Sequence, residues 1–187
     1  MKVTAVTQTL LHANQLKRTA RTGWGQRGVP DAENVAAHSF GVVFTALTLA
    51  QVVEEPLDLG RLLALAALHD LPEALTTDIP TPAWRYLPPG IKTEVERGAM
   101  TEMLAGVPFA AKWMGLWEEL HAGQTAVARL VHDADKLEMY LQAWVYEQQT
   151  GNRFLAEFWA TPPTFYFAEA RRVYEEIRRL RDGEMGE

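Results

Sequence analysis

Apolar side chains recur along most of the chain at spacings of three and four residues, the period of helices with one buried face. Runs of alternating β-branched residues are missing between the turns, so no strand is predicted. The pattern predicts helices over residues 3–17, 35–54, 58–75, 91–105, 108–121, 124–150 and 164–182. We therefore expect an all-α fold, a single-domain bundle of about six or seven helices over residues 1–187.

Two segments between the helices carry start and stop signals. The glycine-rich "RTGWGQRGVPDAEN" is predicted to be a loop whose last residue, Asn34, caps the next helix. That helix, over residues 35–54, has few charges, which favours a central position in the bundle. The proline-rich "TTDIPTPAWRYLPPG" is predicted to be an ordered loop, because proline disrupts helix interiors.

Composition excludes several kinds of site and partner. The 187 residues include no cysteine, which excludes disulfides, zinc–thiolate sites and cysteine nucleophiles. The net charge of -6 argues against binding to a nucleic-acid polymer, which needs a basic surface. No apolar stretch approaches the roughly 18 residues of a membrane span, and the first residues do not resemble a signal peptide. We expect a cytoplasmic protein that does not bind membranes.

Ionisable residues stand at the end of an apolar helix in "LALAALHDLPEALTTDIPTP". On a continuous helix, His69 and Glu73 are four residues apart and Asp70 and Glu73 are three apart, so they share one edge. Burying two carboxylates beside a histidine requires a compensating cation. A divalent metal would supply it, whereas a His-Asp pair alone is more often a helix cap or a local hydrogen bond.

Further candidate ligands lie on two other predicted helices. His38 is near the start of the charge-poor helix, and Asp133 and Asp135 lie within the helix over 124–150. Three helices would then each bring a ligand to one point, as in bundle metal sites. At about 100° per residue, Asp133 lies nearer the main apolar stripe than Asp135, so periodicity favours Asp133.

The order of these residues resembles the HD-domain metal-dependent phosphohydrolases. The stretches "RTGWGQRGVPDAENVAAHS", "HDLPEALTTDIPTP" and "DADKLEMYLQAWVYE" together resemble the subgroup of YfbR-type 5'-deoxyribonucleotidases. The resemblance implies an HD-domain fold and one divalent metal ion, Co, Mn, Mg, Zn or Ni. It implies as ligands His38, His69, Asp70 and Asp135. It therefore favours Asp135 over Asp133, which is then expected at the surface or in support of the ligands.

The same resemblance implies two catalytic carboxylates, Glu73 and Asp78. Glu73 would transfer a proton or orient water, and Asp78 would position the water or face the sugar. Relatives commonly have an acid before the first ligand histidine, but this chain has Ala37, so the hydrogen bond beside His38 is either missing or supplied by Glu33.

A phosphate dianion also needs a side-chain cation. The sequence offers Arg18 and Arg21, and we prefer Arg18. Both belong to a basic cluster that also contains Lys17 and Arg27, and a solvated surface explains such a cluster equally well.

The resemblance implies an enzyme that releases phosphate from deoxyribonucleoside 5'-monophosphates, with a small-molecule nucleotide as its partner. One alternative keeps the site but changes the substrate to a nucleoside triphosphate, a cyclic or hyperphosphorylated nucleotide, or a non-nucleotide phosphate. Another is a non-catalytic helical binding protein with a structural metal. Apolar faces that carry Trp113, Trp117, Trp144 and Trp159 lead us to expect a homodimer, as relatives commonly form.

Overall fold

Helices make up most of the described chain, and their order follows the predicted one. A computed structural model describes residues 3–80, 83 and 85–183; Thr81 and Pro82 of the quoted "PTP" lie outside these ranges. The described residues form nine α-helices and one 3-10 helix, Arg153–Trp159. The α-helices are α1 Val3–Gln15, α2 Thr22–Gln26, α3 Val35–Leu49, α4 Leu59–Leu68, α5 Glu73–Thr76, α6 Ile91–Met103, α7 Ala110–Ala122, α8 Ala126–Thr150 and α9 Ala168–Arg181.

The core is built around α3, α4 and α8, which pack against one another. Side chains with no exposed surface include Val35 and Val42 on α3, Leu62 and Leu65 on α4, and Leu130 on α8. The predicted central position of the charge-poor helix is thus confirmed. No helix in the described ranges is long and apolar enough to cross a bilayer.

The predicted helix over 58–75 is interrupted, which is the main departure from expectation. A proline ring clashes with the carbonyl four residues earlier, and for Pro72 that residue is Leu68, the last residue of α4. Hydrogen bonds then span three residues, from Glu73 N–H to the Asp70 carbonyl for example (3.0 Å), before α5 begins. The prediction of one continuous helix was wrong. His69 and Asp70 project from the turn between two helices, and this split together with α2 raises the helix count above seven.

The last helix begins at Ala168 rather than at 164, because a buried carboxylate holds the segment before it. Asp133 on α8 has no exposed surface. It accepts the backbone N–H groups of Tyr166 at 3.0 Å and Phe167 at 2.9 Å. The expectation that Asp133 lies at the surface or supports the ligands was therefore wrong, because its carboxylate anchors the start of α9.

Replacing Asp133 with asparagine should destabilise the fold. Asparagine has one accepting oxygen in place of two and no negative charge, so it binds the N–H groups of Tyr166 and Phe167 more weakly, and a buried donor left unsatisfied costs about 1–3 kcal/mol. Urea unfolding should show a loss of that size. The exposed Asp31, replaced with asparagine, should stay within about 0.5 kcal/mol of the wild type. Equal stability of the Asp133 variant and the wild type would contradict the anchoring role.

Candidate active site

Four predicted ligands converge at one point, and we call them the ligand quartet. They come from α3 (His38), the α4–α5 turn (His69 and Asp70) and α8 (Asp135). The His38 Nε2 atom lies 3.1 Å from Asp135 Oδ1, 3.6 Å from Asp70 Oδ2 and 3.4 Å from His69 Nε2. His69 Nε2 lies 3.2 Å from Asp70 Oδ2. Residues 97 positions apart in the chain thus point their donor atoms at one small volume.

Each imidazole is oriented by a hydrogen bond on its other nitrogen. The Nδ1–H group of His69 donates to the Ala66 carbonyl at 2.7 Å. The Nδ1 atom of His38 lies 2.5 Å from Glu138 Oε2. Such partners fix the tautomer and leave Nε2 to act as a ligand. Both Nε2 atoms accordingly face the centre of the quartet.

The quartet favours a positive charge at its centre. Burial alone would lower the pKa of His38, but its hydrogen bonds with Asp135 and Glu138 raise it to about 10. The negative charge of Asp70 likewise raises the pKa of His69 against the effect of burial. Burial would raise the pKa of Asp70, yet the charge of His69 lowers it. Two imidazole nitrogens and two carboxylates that attract positive charge are a donor set that fits a divalent transition metal.

Glu138 is a residue of the candidate site that sequence reasoning missed. The hydrogen bond beside His38 comes from Glu138 and not from Glu33, whose carboxylate instead accepts the Trp24 indole N–H at 3.0 Å. Gly41 on α3 provides the space, because a Cβ there would lie 2.6 Å from Glu138 Oε1. One signal existed: Glu138 follows Asp135 by three residues and so shares its helix face.

A cavity of about 280 Å³ opens beside the quartet. Its acidic side chains are Asp70, Glu73, Asp78 and Asp135, and its basic ones are Arg21, Arg27 and Lys92. Its apolar wall includes Ile79, Pro80, Met139 and Phe158. The cavity therefore combines a charged region at the quartet with an apolar surface.

The two predicted catalytic carboxylates line this cavity in different environments. Glu73 is 5% exposed, and its Oε2 atom makes no hydrogen bond within the described part of the chain. Burial, with the charges of Asp70 and Asp78, raises the pKa of Glu73 to about 9. Asp78 Oδ2 instead accepts the Thr22 backbone N–H at 2.7 Å, and the Thr22 hydroxyl donates to the Asp78 carbonyl at 2.8 Å. The environment of Glu73 thus favours its protonated form, whereas hydrogen bonds with Thr22 fix the position of Asp78.

The structure brings Arg21, but not Arg18, to the site. The Arg21 Nη1 atom lies 3.7 Å from Asp70 Oδ2 in the cavity wall. Arg18 is exposed, and its guanidinium donates to the Gln15 side chain. Lys92, which the sequence did not single out, lines the cavity as well, because α6 packs against α5. The pattern of residues within one helix does not predict which other helix it will contact.

Comparison with known proteins identifies the family. A family model described as an HD domain matches residues 13–169. The chain belongs to the HD domain family. This HD domain is 31% identical to the 5'-deoxynucleotidase HDDC2 of zebrafish, Danio rerio, over 171 residues, 89% of this chain and 83% of the relative. It is 34% identical to the human 5'-deoxynucleotidase HDDC2 over 142 residues, 75% of this chain and 67% of the relative.

The fold of this HD domain also matches solved structures. A conserved hypothetical protein from Pyrococcus furiosus superposes with a TM-score of 0.78 and is 37% identical, covering 92% of this chain and 98% of that chain. These comparisons confirm the resemblance to the HD-domain phosphohydrolases that the sequence motifs indicated. They also confirm the predicted all-α HD-domain fold.

Replacing Glu138 with glutamine should weaken metal binding and leave the fold intact. The amide lacks the charge that orients His38, and loss of such an outer partner typically reduces metal affinity about 10–100-fold. Calorimetric titration of the metal-stripped protein with Mn²⁺ measures this directly.

Gly41 provides a matched pair of variants for the same prediction. Gly41→Ala should displace Glu138 and weaken metal binding, whereas Gly115→Ala, on α7 with no neighbour within 4 Å, should bind metal like the wild type. Unchanged affinity in both Glu138→Gln and Gly41→Ala would show that Glu138 does not position His38.

The buried proton of Glu73 should make stability depend on pH in metal-stripped protein. The pKa of this carboxyl is raised from 4.5 to about 9, so the folded chain keeps a proton that the unfolded chain releases. Its contribution to stability is full below pH 4.5, declines as the pH rises, and is lost above about 9. The free energy of unfolding should therefore fall relative to that of Glu73→Gln, which stays neutral, across that window. The exposed Glu94→Gln should run parallel to the wild type, and a parallel Glu73→Gln curve would contradict the raised pKa.

Proposed function

We propose that this HD domain is a metal-dependent phosphomonoesterase that releases phosphate from deoxyribonucleoside 5'-monophosphates. The observation that carries the proposal is the convergence of the ligand quartet beside a cavity that also contains Arg21, Glu73 and Asp78. The zebrafish and human relatives, which are named 5'-deoxynucleotidases, support this substrate class. The cavity volume is close to the lower end of small-molecule sites, about 300–1,000 Å³, and suits a single nucleotide.

We assign one divalent ion to His38, His69, Asp70 and Asp135, with Mn, Co, Ni, Zn or Mg as candidates. When bound there, the ion would supply Lewis-acid chemistry, lowering the pKa of water and neutralising phosphate charge. Imidazole and carboxylate together favour the transition metals over Mg, which prefers oxygen ligands alone.

Arg21 binds the substrate phosphate in this proposal. Its planar guanidinium can donate two parallel hydrogen bonds to phosphate oxygens, and its place beside Asp70 directs it toward the quartet. Arg18, which we preferred from the sequence, faces solvent and has no such role.

Glu73 is the proposed proton donor. Hydrolysis forms a bond between water oxygen and phosphorus and breaks the bond between phosphorus and the 5' oxygen, which must then gain a proton. Without metal, burial and the neighbouring carboxylates raise the pKa of Glu73 to about 9, so this carboxyl is suited to hold that proton at neutral pH. The attacking water loses one proton in the same reaction, and that proton restores the Glu73 carboxyl. Asp78, held by Thr22, would orient the water or the sugar from the cavity wall.

A purely structural metal site accounts poorly for Glu73. A buried carboxyl oxygen without a hydrogen bond costs stability, and a structural site gains nothing from it. The alternative of a non-catalytic binding protein is therefore less well supported than that of a hydrolase.

The homodimer stays a prediction, but different residues now support it, because the four tryptophans pack within the chain. Trp117 and Trp159 are buried within the chain, and Trp113 and Trp144 pack against the core. Two large apolar side chains one turn apart on α3, Phe40 and Phe44, are instead more than half exposed. These are the residues that now favour contact with a second copy.

Phosphate release from a panel of nucleotides tests the function. Metal-stripped protein supplied with Mn, Co, Zn or Mg should hydrolyse deoxyribonucleoside 5'-monophosphates and leave 3'-monophosphates and triphosphates intact. Asp70→Ala should lose metal and activity together. Glu73→Ala should retain metal and substrate while turnover falls about 10²–10⁴-fold, the usual size of a general-acid contribution.

Glu94→Ala, an exposed change on α6, is the matched control and should be fully active. No phosphate release with any metal would overturn the proposal. Normal turnover in Glu73→Ala would leave the reaction class standing but remove Glu73 as proton donor.

A further inference from the structure

Lys92 lies where two cavities meet. A second cavity of about 270 Å³ opens beside the quartet and shares Asp70, Asp135 and Lys92 with the first. Its other polar side chains include Thr93 and Glu96. Arg21, in contrast, lines only the first cavity. The two positively charged side chains therefore approach the quartet from different elements, Arg21 from the residue before α2 and Lys92 from α6.

The ammonium group of Lys92 is positioned and also accessible. Its Nζ atom lies 3.5 Å from Glu96 Oε1, one turn along α6. Glu96 is itself buried, and its other oxygen lies 3.2 Å from His121 Nε2. The side chain of Lys92 remains 49% exposed. An incoming anion can therefore reach a charge that the protein has already placed beside the quartet.

Binding a phosphate dianion in the first cavity requires more than one positively charged side chain. A phosphate dianion must enter among four carboxylic groups, while Arg21 already faces Asp70 and Arg27 forms an ion pair with Glu157. Burial would lower the pKa of Lys92, but the charges of Glu96, Asp70 and Glu73 raise it. Lys92 is thus positively charged at neutral pH and shares both cavities with Asp70, so it can offset the repulsion between the Asp70 carboxylate and the substrate phosphate.

We propose that Lys92 is a second phosphate-binding residue, which holds the substrate phosphate from the side of the second cavity while Arg21 holds it from the first. This inference rests on the proposed function, since it assigns the phosphate to the quartet. An ammonium group is a compact point charge on a flexible stem, so it can stay on the phosphate as the bond to the 5' oxygen breaks. Lys92 therefore also binds the free phosphate product.

Lys92→Met tests the proposal, because methionine keeps most of the stem and removes the charge. Inorganic phosphate is the probe, titrated into Mn-loaded protein in a calorimeter. Its affinity should fall roughly 10–100-fold, the effect of losing one charge-assisted contact. KM for a deoxyribonucleoside 5'-monophosphate should rise similarly, while Mn²⁺ affinity and the unfolding temperature stay unchanged. Lys92→Arg should restore most of the phosphate affinity.

Lys112→Met, an exposed change on α7 outside both cavities, is the matched control and should bind phosphate like the wild type. Unchanged phosphate affinity in Lys92→Met would overturn the inference, and so would a loss of Mn²⁺ binding, which would assign Lys92 to support of the metal. If the wild type hydrolyses no 5'-monophosphate but Lys92→Met still loses phosphate affinity, the proposed function fails and the anion site stands.

Discussion

The ligand quartet requires a positive charge at its centre, and the arrangement around it follows from this requirement. Two carboxylates whose oxygens both lie within 3.6 Å of one buried imidazole nitrogen would repel each other if nothing positive lay between them. Protons on the histidines are one source of that charge, which is why the pKa values of His38 and His69 are raised. A divalent ion is another and brings two charges to the same point. Glu138 then matters as the group that keeps His38 turned toward the centre.

Access to the quartet depends on the break between α4 and α5. A continuous helix would carry His69 and Glu73 along one edge, at a fixed spacing, toward a single neighbour. The interruption at Pro72 places His69 and Asp70 on a turn and begins a new helix at Glu73. Asp70 can then contribute to the quartet while lining both cavities, and Glu73 faces the first cavity from the start of α5. The proline therefore affects the chemistry through backbone geometry.

The sequence was informative where local pattern and chemistry agreed. Helical periodicity predicted the all-α class, histidines on apolar helices were candidate ligands, and the resemblance to the HD-domain family supplied the full set. Periodicity failed on α8 because it selects the acid nearest the apolar stripe. Asp133 is that acid, but it has no exposed surface and its oxygens accept backbone N–H groups, whereas the Asp135 side chain is 42% exposed and lines both cavities. Arg21, Glu138 and Lys92 depend on which separate elements meet, and spacing along the chain carries no information on that.

Two buried acids on different helices, Asp133 on α8 and Glu73 on α5, are held in opposite ways. Asp133 and Glu73 are both almost inaccessible to water. Asp133 accepts hydrogen bonds from two backbone N–H groups and so contributes to folding. Glu73 has an oxygen without a hydrogen bond in the described chain and faces the charges of Asp70 and Asp78, so in the folded protein it prefers to stay protonated. A buried polar group without a full set of hydrogen bonds beside a cavity indicates a use for its proton, because the fold alone would be more stable with an apolar side chain there.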